Sequence, residues 1–133
     1  MKRSKMREEI FKLLFRVEFV AEEELEEQQS LFFEQTEESI SQQEQTYIEE
    51  KFVSIVERLP EIDALINSHT TGWKTERMNK VDLTILRLAV YEMKWDAEIP
   101  PRVAMNEAVE LAKKFSGEEG FSFVNGVLAN LAE

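Results

Sequence analysis

Residues 79–95 read NKVDLTILRLAVYEMKW, and this stretch decides the fold. Its apolar residues recur every three or four positions, the spacing that places them on one buried face of a helix; they are Val81, Ile85, Leu86, Ala89, Val90 and Met93. Asp82 falls in the predicted first turn, where a negative charge complements the helix dipole. We therefore predict a core helix from about Asn79 to Trp95.

Similar spacing continues on both sides of this stretch. The pattern predicts six more helices. Four precede this stretch: from Ser4 into the run Glu22 to Glu24, from Gln29 to Ser39, from Gln43 to Leu59, and from Pro60 to a stop at Thr70-Thr71-Gly72. Two follow it: from Arg102 to Phe115 and, after a loop from Ser116 to Gly120, from Phe123 to Leu131. The chain has 133 residues but only four glycines and three prolines, so a sheet would have few turns. We predict one compact all-α domain of about seven helices.

Two sequence positions bear on how this domain is organised. Pro60 is the expected seam between helical subdomains at about residues 1–59 and 60–133. Gly126 lies inside the last predicted helix, where glycine costs about 1 kcal/mol relative to alanine. We therefore expect a packing reason for Gly126.

Charge is sorted along the chain. Residues 1–16 carry six Lys or Arg and two Glu, residues 17–50 carry twelve Glu and neither Lys nor Arg, and the formal net charge is −11. Such a protein repels nucleic acid at long range, so any nucleic-acid binding must use a local patch. The candidate patch is Lys2, Arg3, Lys5 and Arg7, which a helix would present from one end. The competing interpretation is that these residues only aid solubility. Most of the glutamates are expected to form a solvated face.

The residues that enzymes use are not arranged for catalysis. The chain has no cysteine, its one histidine (His69) lies near a predicted helix end, and its four glycines match no phosphate-binding loop. No apolar run approaches the roughly 18 residues of a membrane span. We expect a soluble, cytoplasmic protein that binds rather than catalyses, without metal, cofactor or small-molecule substrate.

An aromatic ladder follows the basic patch. Phe11, Phe15 and Phe19 are spaced four residues apart, so a helix would place them along one edge. Burial between helices is the favoured interpretation. The alternatives are that one ring stacks on a base, or that the edge pairs two copies of the chain.

Three segments resemble the transcription antitermination factor NusB family. They are Val81 to Glu92 (VDLTILRLAVYE), Ile99 to Phe115 (IPPRVAMNEAVELAKKF) and Phe123 to Leu128 (FVNGVL), joined near the start by Arg7-Glu8 and Leu13-Leu14-Phe15. Their order and gaps match the family, and only residues 22–47 lack a motif to compare.

The resemblance implies an all-α fold of two three-helix subdomains and a role in antitermination. In that family the protein pairs with NusE, a small-subunit ribosomal protein, and the pair captures the boxA element of nascent ribosomal RNA so that RNA polymerase passes terminators. Carried over by motif, the RNA contacts would be Lys2, Arg3, Lys5, Arg7, Phe15, Glu119, Ser122 and Phe123. The NusE contacts would be Glu76 and Asp82, and structural roles are expected for Arg87, Asn106, Glu107 and Asn125. Arg87 should pair with Glu107 or Glu110.

Departures from the family pattern bear on RNA affinity. Ser4 and Met6 interrupt the basic arm, and Phe15 lacks the hydroxyl of the usual tyrosine, so we expect weak RNA binding without NusE. One alternative is an acidic helical adaptor that binds only a basic protein. Another is a relative of the RNA-binding domain of ribosomal RNA methyltransferases, although the chain holds neither a glycine-rich cofactor loop nor the cysteines of such an enzyme. The resemblance also leaves open whether the protein forms homodimers.

Overall fold

The computed structural model describes residues 1–70, 72 and 74–132, which contain seven α-helices and no strand. The α-helices are α1 (Arg3–Phe15), α2 (Leu25–Gln35), α3 (Gln42–Glu57), α4 (Leu59–Ser68), α5 (Lys80–Trp95), α6 (Pro101–Phe115) and α7 (Glu118–Ala132). Single-turn 3-10 helices cover Arg16–Glu18, Glu22–Glu24 and Thr75–Arg77. The predicted all-α fold is confirmed. None of the helices in these residues has the length and apolarity needed to cross a membrane.

The chain divides into two compact units, Met1–Val56 and Glu57–Glu133. The first holds α1, α2 and nearly all of α3, and the second holds α4 to α7. The boundary between subdomains was predicted at Pro60, which lies in the first turn of α4. Proline is tolerated there because its missing N–H would have had no partner inside the helix.

In the first unit, the predicted first helix was too long. It ends at Phe15 and tightens into the 3-10 turn Arg16–Glu18, and α2 begins four residues earlier than predicted. The physical reason is a contact that reaches across to α2: Arg16 donates to the side chain of Gln28 at 3.1 Å, and its guanidinium lies 5.3 Å from the centre of the Phe32 ring. The turn lets α2 bury Leu25 and Phe32.

The start of α3 carries a capping box that the sequence analysis missed. The Ser41 hydroxyl accepts a hydrogen bond from the Glu44 backbone N–H at 3.1 Å, and the Glu44 carboxylate accepts one from the Ser41 backbone N–H at 2.9 Å. This reciprocal pair satisfies N–H groups that have no partner inside the helix. It fixes the beginning of α3 at Gln42.

In the second unit, α5 packs against α4, α6 and α7, as its apolar pattern predicts. The Asn79 side chain caps its first turn, accepting from the N–H of Val81 at 2.8 Å and of Asp82 at 3.3 Å. Fully buried small side chains on α6 allow close approach of a neighbouring helix; they are Ala104, Ala108 and Ala112. α4 ends at Ser68, before the predicted stop, of which Thr71 lies outside the described residues.

The last helix differs most from prediction. Residues 118–120 are helical rather than part of the predicted loop, because Gly117, at φ +96°, already ends α6. Glu118 and Glu119 then suit the positive end of α7. The packing reason expected for Gly126 is not found: the residue is exposed, and a Cβ there would meet no described atom within 4 Å.

Candidate nucleic-acid interface

The outer end of the basic arm is free. Lys2 and Arg3, at the start of α1, are exposed, and neither side chain has a hydrogen bond or ion pair with any described residue. The N–H groups of the first helical turn add a partial positive charge at the same end. These two residues can meet an anionic backbone without breaking an existing contact.

The inner half of the arm is not free, which corrects the sequence analysis. The Lys5 ammonium lies 2.9 Å from Oε2 of Glu8 and 2.9 Å from Oε1 of Glu38. Hydrogen bonds to Glu8 and then Glu38 raise the pKa of Lys5 above its usual value. Arg7 is buried, at 5 % exposure, because it follows the face of Ile10, one turn further along α1.

Two glutamates after α2, Glu38 and Glu44, contact α1 and the N-terminus, whereas most glutamates of residues 17–50 are exposed, as predicted. The N-terminal amine of Met1 lies 2.8 Å from the Glu44 carboxylate, and the hydrogen bond from that amine lowers the pKa of Glu44. Thr36 donates to the buried Glu9 at 3.2 Å, and Lys12 lies 3.2 Å from the same residue. The α2–α3 connection is therefore fastened to α1 by polar contacts.

The aromatic ladder becomes more exposed toward its end. Phe11 is buried, Phe15 is half-buried and Phe19 is 62 % exposed. The Phe15 ring lies 6.4 Å from that of Phe11 and 5.0 Å from that of Phe19, centre to centre. The family resemblance predicted Phe15 as the RNA contact, but Phe19 is the most exposed aromatic side chain in the first unit. The four-residue spacing that predicted the ladder could not rank its members by exposure.

In the second unit, the other predicted RNA contacts share one helical face. Glu119 and Ser122 are exposed and Phe123 is half-buried, and their spacing of three and four residues on α7 places them side by side. Sequence reasoning missed a neighbouring cation: the ammonium of Lys113, in the last turn of α6, lies 5.3 Å from the centre of the Phe121 ring. The adjacent pair Lys113 and Lys114 was the signal that could have found it.

The two predicted partner contacts lie in different environments. Glu76 is exposed on the 3-10 turn Thr75–Arg77, whose first residue is held by the Asn67 side chain at 2.8 Å. Asp82 is buried, at 7 % exposure, and accepts a hydrogen bond from the Ser116 hydroxyl. Glu76 is therefore accessible to a partner, whereas Asp82 is occupied inside the protein.

Arg87 has a structural contact that the sequence analysis did not name. Its guanidinium binds both carboxylate oxygens of Asp63 on α4, at 2.9 and 2.8 Å. Of the two partners predicted for Arg87, Glu107 or Glu110, the second is excluded, because Glu110 is exposed and lies 3.5 Å from Lys113 instead. Planar two-point pairing of this kind suits arginine and fixes α4 against α5.

The other predicted structural residues are more open. Asn106 and Asn125 are exposed, and within the described part of the chain neither side chain has a hydrogen-bond partner, while Glu107 is half-buried. An internal structural role for the two amides is therefore not found. Among the residues that the structure describes, no group of three or more His, Cys, Asp or Glu could hold a metal ion.

Relatives of the chain are similar along its whole length. Residues 4–133 match the model of the NusB family. The "Transcription antitermination protein NusB" of Agathobacter rectalis is 54% identical over 99% of this chain and 100% of that protein. The protein of the same description from Lachnoclostridium phytofermentans is 47% identical, with both chains covered completely.

Solved structures agree with these relatives. NusB from T. maritima superposes with a TM-score of 0.85 at 33% identity, covering 99% of this chain and 91% of that one. A crystal structure of the antitermination factors NusB and NusE in complex with double-stranded RNA gives a TM-score of 0.83 at 26% identity, covering 98% and 97%. On its sequence and its fold alike, the chain belongs to the NusB family.

Proposed function

We propose that this protein is a transcription antitermination factor that binds the boxA element of nascent ribosomal RNA together with NusE. The proposal rests on one observation above all: nearly the whole chain superposes on the NusB fold that is found with NusE and RNA. In this role the protein acts without catalysis, in the cytoplasm, as part of an RNA polymerase antitermination complex.

The charge distribution explains why a partner is needed. Two exposed cations, Lys2 and Arg3, are available at the arm, while Lys5 is neutralised and Arg7 is buried. Each phosphate that is neutralised on a single strand contributes about 0.7 to the slope of log affinity against log salt concentration. Two such contacts give weak, salt-sensitive binding. A basic ribosomal protein on the acidic surface would add phosphate contacts.

Base selectivity requires groups other than these cations. Phosphate contacts position RNA without reading its sequence, whereas unstacked bases are recognised by aromatic rings and hydrogen bonds. Phe15 in the first unit and Ser122 and Phe123 in the second are the groups of that kind among the predicted contacts. Glu76, exposed and negatively charged, is the accessible candidate for the NusE contact.

The test is a fluorescence titration of labelled boxA RNA and of a scrambled RNA of the same length, each with and without NusE. We expect weak binding of either RNA by the protein alone, and clear preference for boxA when NusE is present. Nanomolar boxA affinity without NusE would contradict the dependence on a partner. An acidic adaptor would bind NusE but leave the RNA titration unchanged.

A further inference from the structure

One side-chain hydrogen bond joins the turn between α6 and α7 to the first turn of α5. Ser116 follows the last residue of α6, and its hydroxyl donates to the carboxylate of Asp82 in the first turn of α5. Asp82 is buried, and Ser116 is its only side-chain donor among the described residues. Because a buried carboxylate without a donor is costly, this hydrogen bond constrains where Ser116 can lie.

Gly120, the third residue of α7, packs against the same two side chains. A Cβ at this buried position would lie 2.6 Å from Cβ of Ser116 and 2.7 Å from Oδ1 of Asp82, and nearer still to the Ser116 hydroxyl. No side chain larger than a hydrogen atom fits at Gly120 without moving the other two residues. Asp82, Ser116 and Gly120 therefore form one junction, which we call the α5–α7 junction.

The junction underlies the predicted RNA face of α7. Gly120 lies between Glu119 and Ser122, and all three belong to the first two turns of the helix. Helix ends fray unless something holds them, and Gly117 before α7 offers no side chain to do so. The contacts of Gly120 with Ser116 and Asp82 supply that restraint. The orientation of the RNA face thus depends on a contact made beneath it.

We propose that the α5–α7 junction positions the first turns of α7 for RNA, so that Asp82 acts as a positioning residue and not as a contact for NusE. The inference rests on the proposed function, because it names residues that act on the same RNA surface. It assigns Asp82 a role through its oxygen acceptor rather than through its charge. That distinction makes the two roles separable by experiment.

Two substitutions at Asp82 separate the roles. Asp82→Asn keeps an oxygen acceptor for Ser116 but loses the charge, whereas Asp82→Ala loses both. With NusE present, we expect Asp82→Asn to bind boxA RNA within about twofold of the unmodified protein, and Asp82→Ala to bind at least about fivefold more weakly. NusE affinity should be unchanged in both variants. Loss of NusE binding in both would overturn the inference and restore Asp82 as a charged partner contact.

Substitutions at Gly120 and Ser116, the other two residues of the α5–α7 junction, test the inference independently. Gly120→Ala should weaken RNA binding and speed hydrogen exchange at the amides of residues 119–123, and Ser116→Ala should do the same to a smaller extent. Gly126→Ala is the matched control, since it makes the same change in the same helix with open space around it. If Gly120→Ala does not fold, Ser116→Ala decides the question, and an unchanged RNA affinity in that variant contradicts the inference.

The outcome also distinguishes this inference from the proposed function. If the unmodified protein with NusE shows no preference for boxA, the proposed function fails. If the unmodified protein shows that preference and those of the variants Asp82→Ala, Ser116→Ala and Gly120→Ala that fold equal it in RNA affinity, only the inference about the junction fails.

Discussion

The ammonium of Lys5 and the carboxylate of Glu38 lie 2.9 Å apart. Lys5, which was predicted to contact RNA, is therefore already paired with a carboxylate of the same chain. Both side chains are partly exposed, at 33 and 39 %. A phosphate that approached Lys5 would therefore have to compete with Glu38 for the same ammonium group. The contact of Lys5 with Glu38, in the α2–α3 connection, therefore reduces the positive charge that the basic arm can offer to an anion.

Glu38→Gln should strengthen RNA binding. An exposed ion pair contributes about 0.2–1 kcal/mol, so removing the Glu38 partner, while Lys5 keeps its contact with Glu8, should raise affinity by up to about fivefold at low salt and steepen the salt dependence. The measurement is a titration of boxA RNA in the presence of NusE at several salt concentrations. Glu37→Gln is the matched control, because it removes the same charge from the neighbouring exposed position. Equal effects of the two variants would show that only net charge matters.

Acid should release the N-terminus from Glu44. The hydrogen bond from the Met1 amine lowers the pKa of this carboxylate below its ordinary 4.5, so its contribution to stability is present above pH 4.5 and is lost as pH falls through the lowered value. Glu44→Gln keeps an acceptor for the capping box but loses the charge. We expect its melting temperature to lie below that of the unmodified protein at pH 7, and the difference to vanish in acid. A difference independent of pH would be inconsistent with this contact.

Arg87→Met should destabilise the second unit. The substitution leaves Asp63, which is 25 % exposed, without its two-point partner, and partial exposure reduces the cost from the value for a fully buried pair to about 1–3 kcal/mol. Urea unfolding followed by circular dichroism measures the change. Adding Asp63→Leu to the Arg87→Met variant should recover part of the loss. Unchanged stability combined with lost NusE binding would instead make Arg87 a partner contact.

Gly126→Ala should stabilise the protein. The residue lies inside α7 at an exposed position, and an added Cβ has open space among the described residues. Alanine in a helix interior is favoured over glycine by about 0.5–1 kcal/mol. Thermal unfolding of the variant should show a higher midpoint, with RNA and NusE binding unchanged. A lower midpoint would indicate a contact that the structure does not describe.

Some elements could be predicted from sequence because their signals are local. The apolar stripe of α5 and the proline at the start of α6 gave these helices to within one residue. The ends of α1 and α2 were missed, since the glutamate-rich stretch has few apolar residues and the Arg16–Gln28 contact joins positions twelve residues apart. The run from Ser116 to Gly120 resembled a loop because no local signal shows that Gly120 is packed.

The candidate site was predictable only in part, for a similar reason. The position of the basic arm at the start of α1 followed from charge and helical spacing. Which of its cations are available did not, because the neutralisation of Lys5 by Glu38 depends on contacts distant in sequence. The burial of Asp82 against Ser116, across 34 residues, likewise has no signature in the sequence.

We expect RNA binding to use the free outer end of the arm, Lys2 and Arg3, and the salt dependence of affinity tests this most directly. The slope of log affinity for boxA RNA against log salt concentration is measured for the NusE complex of the unmodified protein, of Lys2→Gln/Arg3→Gln and of Lys5→Gln. We expect the double variant to flatten the slope by about 1.4 and to keep its affinity for NusE, while Lys5→Gln changes the slope little. An unchanged slope and RNA affinity in the double variant would contradict the account.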